Sequence, residues 1–242
     1  MKRLSMIVAV AAAAVWSTSA MADDEREDRA WAWSPLGIGI AAPLQLPFMS
    51  SDIWGLRLGG AFAYNADMFG VDGGVVEVSS GSMAGVQGAA FTWTMGDAYG
   101  IQAAGLANVV KGSFYGIECG AVNVVWRDFW GIQAGAVNFD GFVAGLQIGS
   151  IVNWNVTDSY GAQFSVANAD QEAFKGFSCG AVNYAKTFVG FQLGVVNVAD
   201  DATGLQLGVV NGVEKMHGVQ IGVVNLIAES KLPVMVIANA SF

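Results

Sequence analysis

The chain has 242 residues and a formal net charge of −9, and 54% of its residues are hydrophobic against 13% charged. Its mean hydropathy is +0.47, yet it has no run of about 20 apolar residues such as a membrane helix needs. The acidic balance argues against a nucleic-acid partner, because phosphate backbones attract basic surfaces.

The N-terminal segment has the pattern of an export signal. Residues 1–22 predict a cleaved signal peptide: Lys2 and Arg3 supply the positive start, a short apolar run follows, and a small-x-small site ends at Ala22. Removing those two cations leaves a mature chain with a net charge of −11. The charged residues 23–33 predict a flexible tail.

The rest of the chain, residues 34–242, is predicted to be one domain built from a short repeat. Gly204-Leu-Gln-Leu-Gly-Val-Val-Asn211 recurs almost unchanged at Gly190 and Gly218. Looser copies open at Gly55, Gly70, Gly85, Gly100, Gly116, Gly131, Gly145, Gly161 and Gly176. Successive opening glycines are 14 to 16 residues apart.

Polar and apolar residues alternate within the repeat, and this period of two predicts a strand with two unlike faces. A helix is rejected, because each glycine would cost it about 1 kcal/mol. The residue two places after the opening glycine is polar throughout. This column is predicted to line a lumen: Arg57, Asp72, Gln87, Gln102, Glu118, Gln133, Gln147, Gln163, Gln192, Gln206 and Gln220.

Aromatic residues lie toward the ends of the apolar face, and aliphatic residues occupy its middle. This layout is typical of a lipid-facing wall between two aromatic girdles, although ordinary packing in a β-core would also use such residues. The predicted lipid-interface aromatics are Trp54, Phe69, Tyr99, Tyr115, Trp130, Trp154, Tyr160 and Phe242.

These features predict an all-β fold, an antiparallel transmembrane β-barrel of about 14 short-turned strands. Trp33 to Phe48 would form the first strand, the twelve repeats one strand each, and Leu232 to Phe242 the last. Most charges fall between the repeats, as in Asp200-Asp201 and Glu214-Lys215, where tight hairpin turns would lie.

A parallel β-solenoid is the alternative. In a barrel of hairpins the duplicated unit should be two strands, whereas here the period is one strand, and stacking like residues on one another is what solenoids do. In that solenoid the apolar columns would fill the core and the Gln column would face water. Against it, a water-facing exterior should carry more charge than this chain has.

The repeat resembles the Gly-x-Gln-x-Gly-x-x-Asn surface repeats of leptospiral and related bacterial surface proteins. The resemblance covers roughly residues 50 to 226 and is strongest from 190 to 225. It implies a cell-envelope protein and supplies no catalytic residues. The C-terminal Phe242 resembles the assembly signal of bacterial outer-membrane barrels, which implies the barrel-assembly machinery as a partner.

Residue types that often carry chemistry are few and scattered. Cys119 and Cys179 lie four repeats apart, too far for a disulfide, and His217 is the only histidine, so we expect no metal site. Arg57, Asp72 and Glu118 could form an acid–base set, but tuning of lumen charge is the preferred interpretation. No nucleophile elbow, P-loop or dinucleotide fingerprint is present, so we expect neither enzyme activity nor a cofactor.

The functional prediction is an outer-membrane β-barrel of a Gram-negative bacterium that forms a passive pore with a lumen lined by Gln and Gly. Its partners would be outer-membrane lipid and the barrel-assembly machinery. The alternative is a non-transport structural or surface-interaction protein, a periplasmic or cell-surface solenoid that presents a Gln/Asn ladder.

Overall fold

The structure is a computed structural model that describes residues 33–41, 44–47 and 51–242. The predicted signal peptide and all but the last residue of the predicted tail lie outside this part. The strands are β1 (Trp33–Ala41), β2 (Leu44–Leu46), β3 (Asp52–Asn65), β4 (Met68–Gly73), β5 (Val76–Ser79), β6 (Met83–Thr94), β7 (Ala98–Val110), β8 (Phe114–Asn155), β9 (Ser159–Phe164), β10 (Ala167–Leu207), β11 (Val210–Ile227) and β12 (Val234–Ser241).

Successive repeats pair in parallel and in register, so the fold is a parallel β-solenoid. Gly204 pairs with Gly218 and Gln206 with Gln220, and the same columns match between β6, β7 and β8. The predicted antiparallel barrel of about 14 strands is therefore wrong, and the solenoid alternative describes the fold. Each of the twelve opening glycines marks one coil, which makes a rod about 58 Å long at roughly 4.8 Å per coil.

Each coil consists of two arms that run in opposite directions across the rod. In the coil that opens at Gly70, β4 is the first arm and β5 the second, and both pair with β3 before them and β6 after them. We call the residues four and five places after each opening glycine, such as Gly208-Val209, the glycine turn. The segment between the second arm and the next first arm, such as Asp200-Asp201, is the charged turn.

The side chains that point inward are not those that the solenoid alternative assigned to the core. The Gln column is buried, and the apolar columns on either side of it are half-buried or exposed. An apolar stack does fill the interior beside the charged turns, and it includes Met68, Met83, Phe114, Phe129 and Val125. Because the rest of the interior is polar, the expectation that the Gln column faces water is wrong.

Extra strands cover both ends of the rod. At the N-terminal end β1 pairs in parallel with β3, and β2 folds back antiparallel to β1. Gln45 of β2 continues the pairing with its side chain, since its Oε1 accepts from the Tyr64 amide at 3.0 Å and its Nε2 donates to the Tyr64 carbonyl. At the C-terminal end β12 lies antiparallel on β11.

Candidate functional site

An uninterrupted ladder of asparagines runs along the interior beside the glycine turns. The Nδ2 of every ladder asparagine except the last, Asn225, donates to the Oδ1 of the asparagine in the next coil at 2.7 to 2.9 Å. Its other hydrogen reaches a backbone carbonyl, as from Asn197 to Leu207 at 2.9 Å. The ladder is formed by Asn108, Asn123, Asn138, Asn153, Asn168, Asn183, Asn197, Asn211 and Asn225.

The glutamine column forms a second, less regular ladder. Gln206 donates to Gln192 at 2.7 Å, and Gln220 donates to Gln206 at 2.9 Å. Every residue predicted to line a lumen is at most 3% exposed. Bonds such as Gln133 Nε2 to Asp140 Oδ1, 2.9 Å, cross the interior to the opposite arm. The column is therefore packed inside the coils rather than lining a channel in the described part of the chain.

A buried ion cluster joins the first coils. Arg57 donates to both carboxylate oxygens of Asp72, from Nε at 2.7 Å and from Nη2 at 2.6 Å, and Nη2 also donates to Glu77. Burial raises the pKa of Glu77 to about 8, with Arg57 opposing the rise and Asp72 adding to it. The structure thus brings together two members of the predicted acid–base set, while Glu118 lies three coils farther along the rod.

A second group of buried carboxyls lies in the middle of the rod. Gln133 donates to Glu118 at 2.8 Å and to Asp140. Burial raises the pKa of Asp140 to about 8, against hydrogen bonds from Gln133 and Gln147 that lower it. Burial also raises the pKa of Glu118 well above its usual range and that of Asp170 to about 6. Because these groups are fully buried, they have no access to a substrate.

The exterior of the first arms is apolar. The residues one and three places after each opening glycine point outward. Eleven large side chains of these two columns are 40% to 55% exposed: Leu56, Leu58, Val71, Val86, Ile101, Ile117, Ile132, Ile148, Phe164, Leu193 and Ile221. The second arms expose Val122, Trp126, Ile151, Val182, Tyr184, Val198 and Leu226, and the glycine turns expose Val75, Val166, Val195, Val209 and Val223. Three contiguous sides of the rod are therefore apolar.

All eight predicted interface aromatics are exposed. Six of them directly precede an opening glycine and so lie beside the charged turns: Trp54, Phe69, Tyr99, Tyr115, Trp130 and Tyr160. They stack along the rod, as Tyr99 does on Tyr115 with ring centroids 5.1 Å apart. Trp154 lies on a second arm, and Phe242 makes an edge contact with His217 at 6.0 Å.

Charge on the exterior is concentrated on the fourth side. Between residues 51 and 229 every charged residue that is not buried lies in a charged turn, apart from Lys175: Asp52, Asp67, Asp97, Lys111, Arg127, Asp128, Asp158, Glu172, Lys186, Asp200, Asp201, Glu214, Lys215 and Glu229. Ion pairs link neighbouring turns here, as between Lys186 and Glu172 at 2.7 Å. The exception, Lys175, lies over the Tyr160 ring at 5.3 Å.

The remaining candidates are isolated. Cys119 and Cys179 lie four coils apart, and both thiols are free. Nowhere in the described part of the chain do three His, Cys, Asp or Glu side chains form a group that could hold a metal ion. Within residues 33–41, 44–47 and 51–242 no helix is long and apolar enough to cross a membrane.

The sequence reasoning missed Asp140 and Asp170 as interior groups. Both lie two places after a ladder asparagine, Asn138 and Asn168, and this fixed spacing is the signal that could have identified them. The fold and its surfaces define a parallel β-solenoid with a largely polar interior and an apolar exterior. No protein-family model matches the chain, and neither a curated protein nor a solved structure is significantly similar to it.

Proposed function

We propose that this protein is a non-catalytic structural component of the bacterial cell envelope that acts through its apolar exterior and does not conduct solutes. The observation that carries the proposal is the inverted distribution of side chains. Hydrogen-bonded ladders fill the interior apart from the apolar stack beside the charged turns, while large apolar side chains cover three sides of the exterior.

The extent of the apolar exterior supports an interaction role. Soluble monomers rarely expose contiguous apolar patches larger than a few hundred Å², and here such columns continue along twelve coils. The interior also supports a role for the exterior, because the interior amides mainly bond to one another and to the backbone. We therefore propose neither a surface Gln/Asn ladder nor a solute path as the functional feature of the described chain.

The proposed location is the outer membrane, with envelope lipid as the partner of the exterior. The export signal predicted for residues 1–22 and the resemblance to bacterial surface repeats support an envelope protein. The scarcity of exterior charge outside the charged turns supports contact with an apolar environment.

Cell fractionation combined with conductance measurement tests this proposal. We expect the mature chain in the membrane pellet, where it resists a high-salt wash but is released by detergent, because apolar contacts are not screened by salt. Reconstituted into planar bilayers, it should give no conductance steps. Steps altered by Gln206→Arg would restore the pore hypothesis. A chain that stays monomeric in buffer and never sediments with membranes would remove the role of the exterior.

A further inference from the structure

We infer that the solenoid lies flat on a membrane and inserts into one leaflet, with its glycine turns deepest in the lipid and its charged turns in water. This inference rests on the proposed function and specifies the orientation and depth of the contact.

The shape of the apolar surface favours lipid over a folded partner. The outer faces of both arms and the glycine turns between them are apolar together, as Leu193, Val195 and Val198 show within one coil. A protein docking on the rod would cover one of these sides and leave the others in water. A fluid leaflet covers all three at once, because lipid chains adapt to the surface they surround.

The width of the coil fits one leaflet. The first arm runs four residues from the opening glycine to the glycine turn, as from Gly204 to Gly208. At roughly 3.3 Å per residue this distance is about 13 Å, close to half of the ~30 Å hydrocarbon core. A strand that crosses a bilayer needs about 9 to 11 residues, so an arm of this length does not span one.

Aromatic side chains mark the depth at which the rod leaves the lipid. The aromatic column, with Trp54, Tyr115 and Trp130 among its members, lies between the aliphatic columns and the charged turns. Tyr and Trp concentrate at the membrane–water interface. Lys175, which between residues 51 and 229 is the exposed cation outside the charged turns, occupies this same column, where a long side chain can extend its ammonium group to water.

Along the body of the rod, the polar amide and carbonyl groups of the backbone do not oppose insertion into lipid. Amide and carbonyl groups of each coil pair with the coils before and after it, and the glycine turns follow the same rule, as in the 3.0 Å bond from Val209 N to Val195 O. Lipid tolerates only backbone whose hydrogen bonds are satisfied internally, and the stacked coils meet that requirement.

Depth-dependent quenching tests the orientation. In a Cys119→Ala, Cys179→Ala background, a single cysteine at Val209→Cys or Asp201→Cys is labelled with an environment-sensitive fluorophore. The protein is bound to vesicles of phosphatidylethanolamine and phosphatidylglycerol that carry a spin label at acyl carbon 5 or 12. We expect carbon 12 to quench the Val209→Cys label more strongly than carbon 5, and an aqueous quencher to reach the Asp201→Cys label alone.

Vesicle partitioning of charge variants gives a second readout. Val209→Lys combined with Val223→Lys should lower vesicle affinity at least about tenfold, because each lysine would enter the acyl region. The matched pair Asp201→Lys and Glu214→Lys should leave affinity equal or higher. Circular dichroism identifies any variant that fails to fold, in which case the quenching data decide.

The outcomes separate this inference from the proposed function. Two results would overturn the one-leaflet orientation for a protein that binds vesicles. One is equal quenching of the Val209→Cys label by spin labels at carbons 5 and 12, and the other is an Asp201→Cys label that the aqueous quencher does not reach. Either result leaves an apolar interaction role intact. Self-assembly without vesicle binding overturns the inference in favour of a second copy as the partner. A monomer that binds neither vesicles nor itself overturns both proposals.

Discussion

The opening glycine of each coil is the residue on which the stacking depends. Gly204 has φ near +132°, a conformation that residues with a side chain rarely adopt. A Cβ built on it would lie 2.0 Å from the Gly190 carbonyl oxygen. Both the conformation and the close approach of neighbouring coils therefore require glycine at this position.

We expect Gly204→Ala to destabilise the protein by about 3 kcal/mol or more, from backbone strain together with overpacking. Gly212→Ala is the matched control, because its added Cβ meets nothing within 4 Å and alanine is favoured over glycine inside a strand. Urea unfolding monitored by circular dichroism measures the difference. Equal midpoints for the two variants would show that the coils do not stack as closely as described.

The buried carboxyls make stability depend on pH. Burial raises the pKa of Asp140 from an ordinary 3.8 to about 8 in the folded chain, so the fold holds this group protonated while the unfolded chain ionises it. Between these two values unfolding releases a proton, and raising the pH favours unfolding. The protonated Asp140 therefore contributes stability that is fully present below its ordinary pKa of 3.8 and is lost as the pH rises to its folded pKa of about 8.

We therefore expect stability to fall between about pH 4 and pH 8, by up to about 1.4 kcal/mol per pH unit for each such group. Asp140→Asn removes one titrating group and should flatten the slope over this window. Urea midpoints across the pH range provide the measurement, and an identical slope in wild type and Asp140→Asn would contradict the assignment.

Each arm of a coil reverses the usual arrangement of a strand, with amides inside and aliphatics outside. In β11 the adjacent residues Gln220 and Ile221 show this directly, since Gln220 is fully buried and Ile221 is 45% exposed. Gln220 Nε2 donates to Gln206 at 2.9 Å and to the Leu226 carbonyl at 3.2 Å. The amide is the stabilising group on the inner face, and the aliphatic side chain contributes less on the outer one.

Substitution of these neighbours should consequently have effects opposite to those in a common β-protein. Gln220→Leu removes the donor to the Gln206 oxygen and to the Leu226 carbonyl, which we expect to cost about 2 kcal/mol or more. Ile221→Lys should change stability by less than about 1 kcal/mol and raise solubility, because the site is outward. Thermal unfolding of the two variants measures this ranking, and the reverse ranking would place the apolar column inside.

The sequence predicted the strands from period-two alternation, but that pattern alone does not say which face is inside. Gln206 and Leu207 alternate equally well in a barrel wall and in a solenoid arm. The recurrence of like residues in like columns correctly indicated parallel stacking, but each repeat forms two arms rather than the one strand that was predicted. The low charge content was interpreted as evidence against a solenoid, on the assumption that its exterior faces water. In the structure the exterior of the solenoid does carry few charges outside the charged turns.

The solenoid alternative predicted a Gln/Asn ladder on the surface, but the sequence could not show that the ladders lie inside the rod, for a related reason. A recurring Asn, as at Asn197 and Asn211, shows that a polar residue is needed at that place. It does not show that the amides bond to one another through the interior, because this depends on the two arms of a coil facing each other. The charged turns and the exposed positions of the aromatics that precede the opening glycines depend on position along the repeat alone, so both could be located in advance.

The rod as a unit is a stack of nearly interchangeable coils, so its stability should be close to a sum of coil and neighbour terms. Deleting residues 190–203 removes one complete coil and should let Gly204 stack on Gly176 and Asn211 on Asn183. We expect this shorter protein to fold and to unfold cooperatively, with a midpoint near that of wild type. Deleting residues 190–196 instead removes fewer residues than the full-coil deletion, but it removes a first arm and keeps the second. Asn197 and the rest of that second arm are then left without an opposing arm, so we expect this variant to be the less stable one. If the half-coil deletion proved as stable as the full-coil deletion, the coil would not be the folding unit, and the two-arm register would be overturned with it.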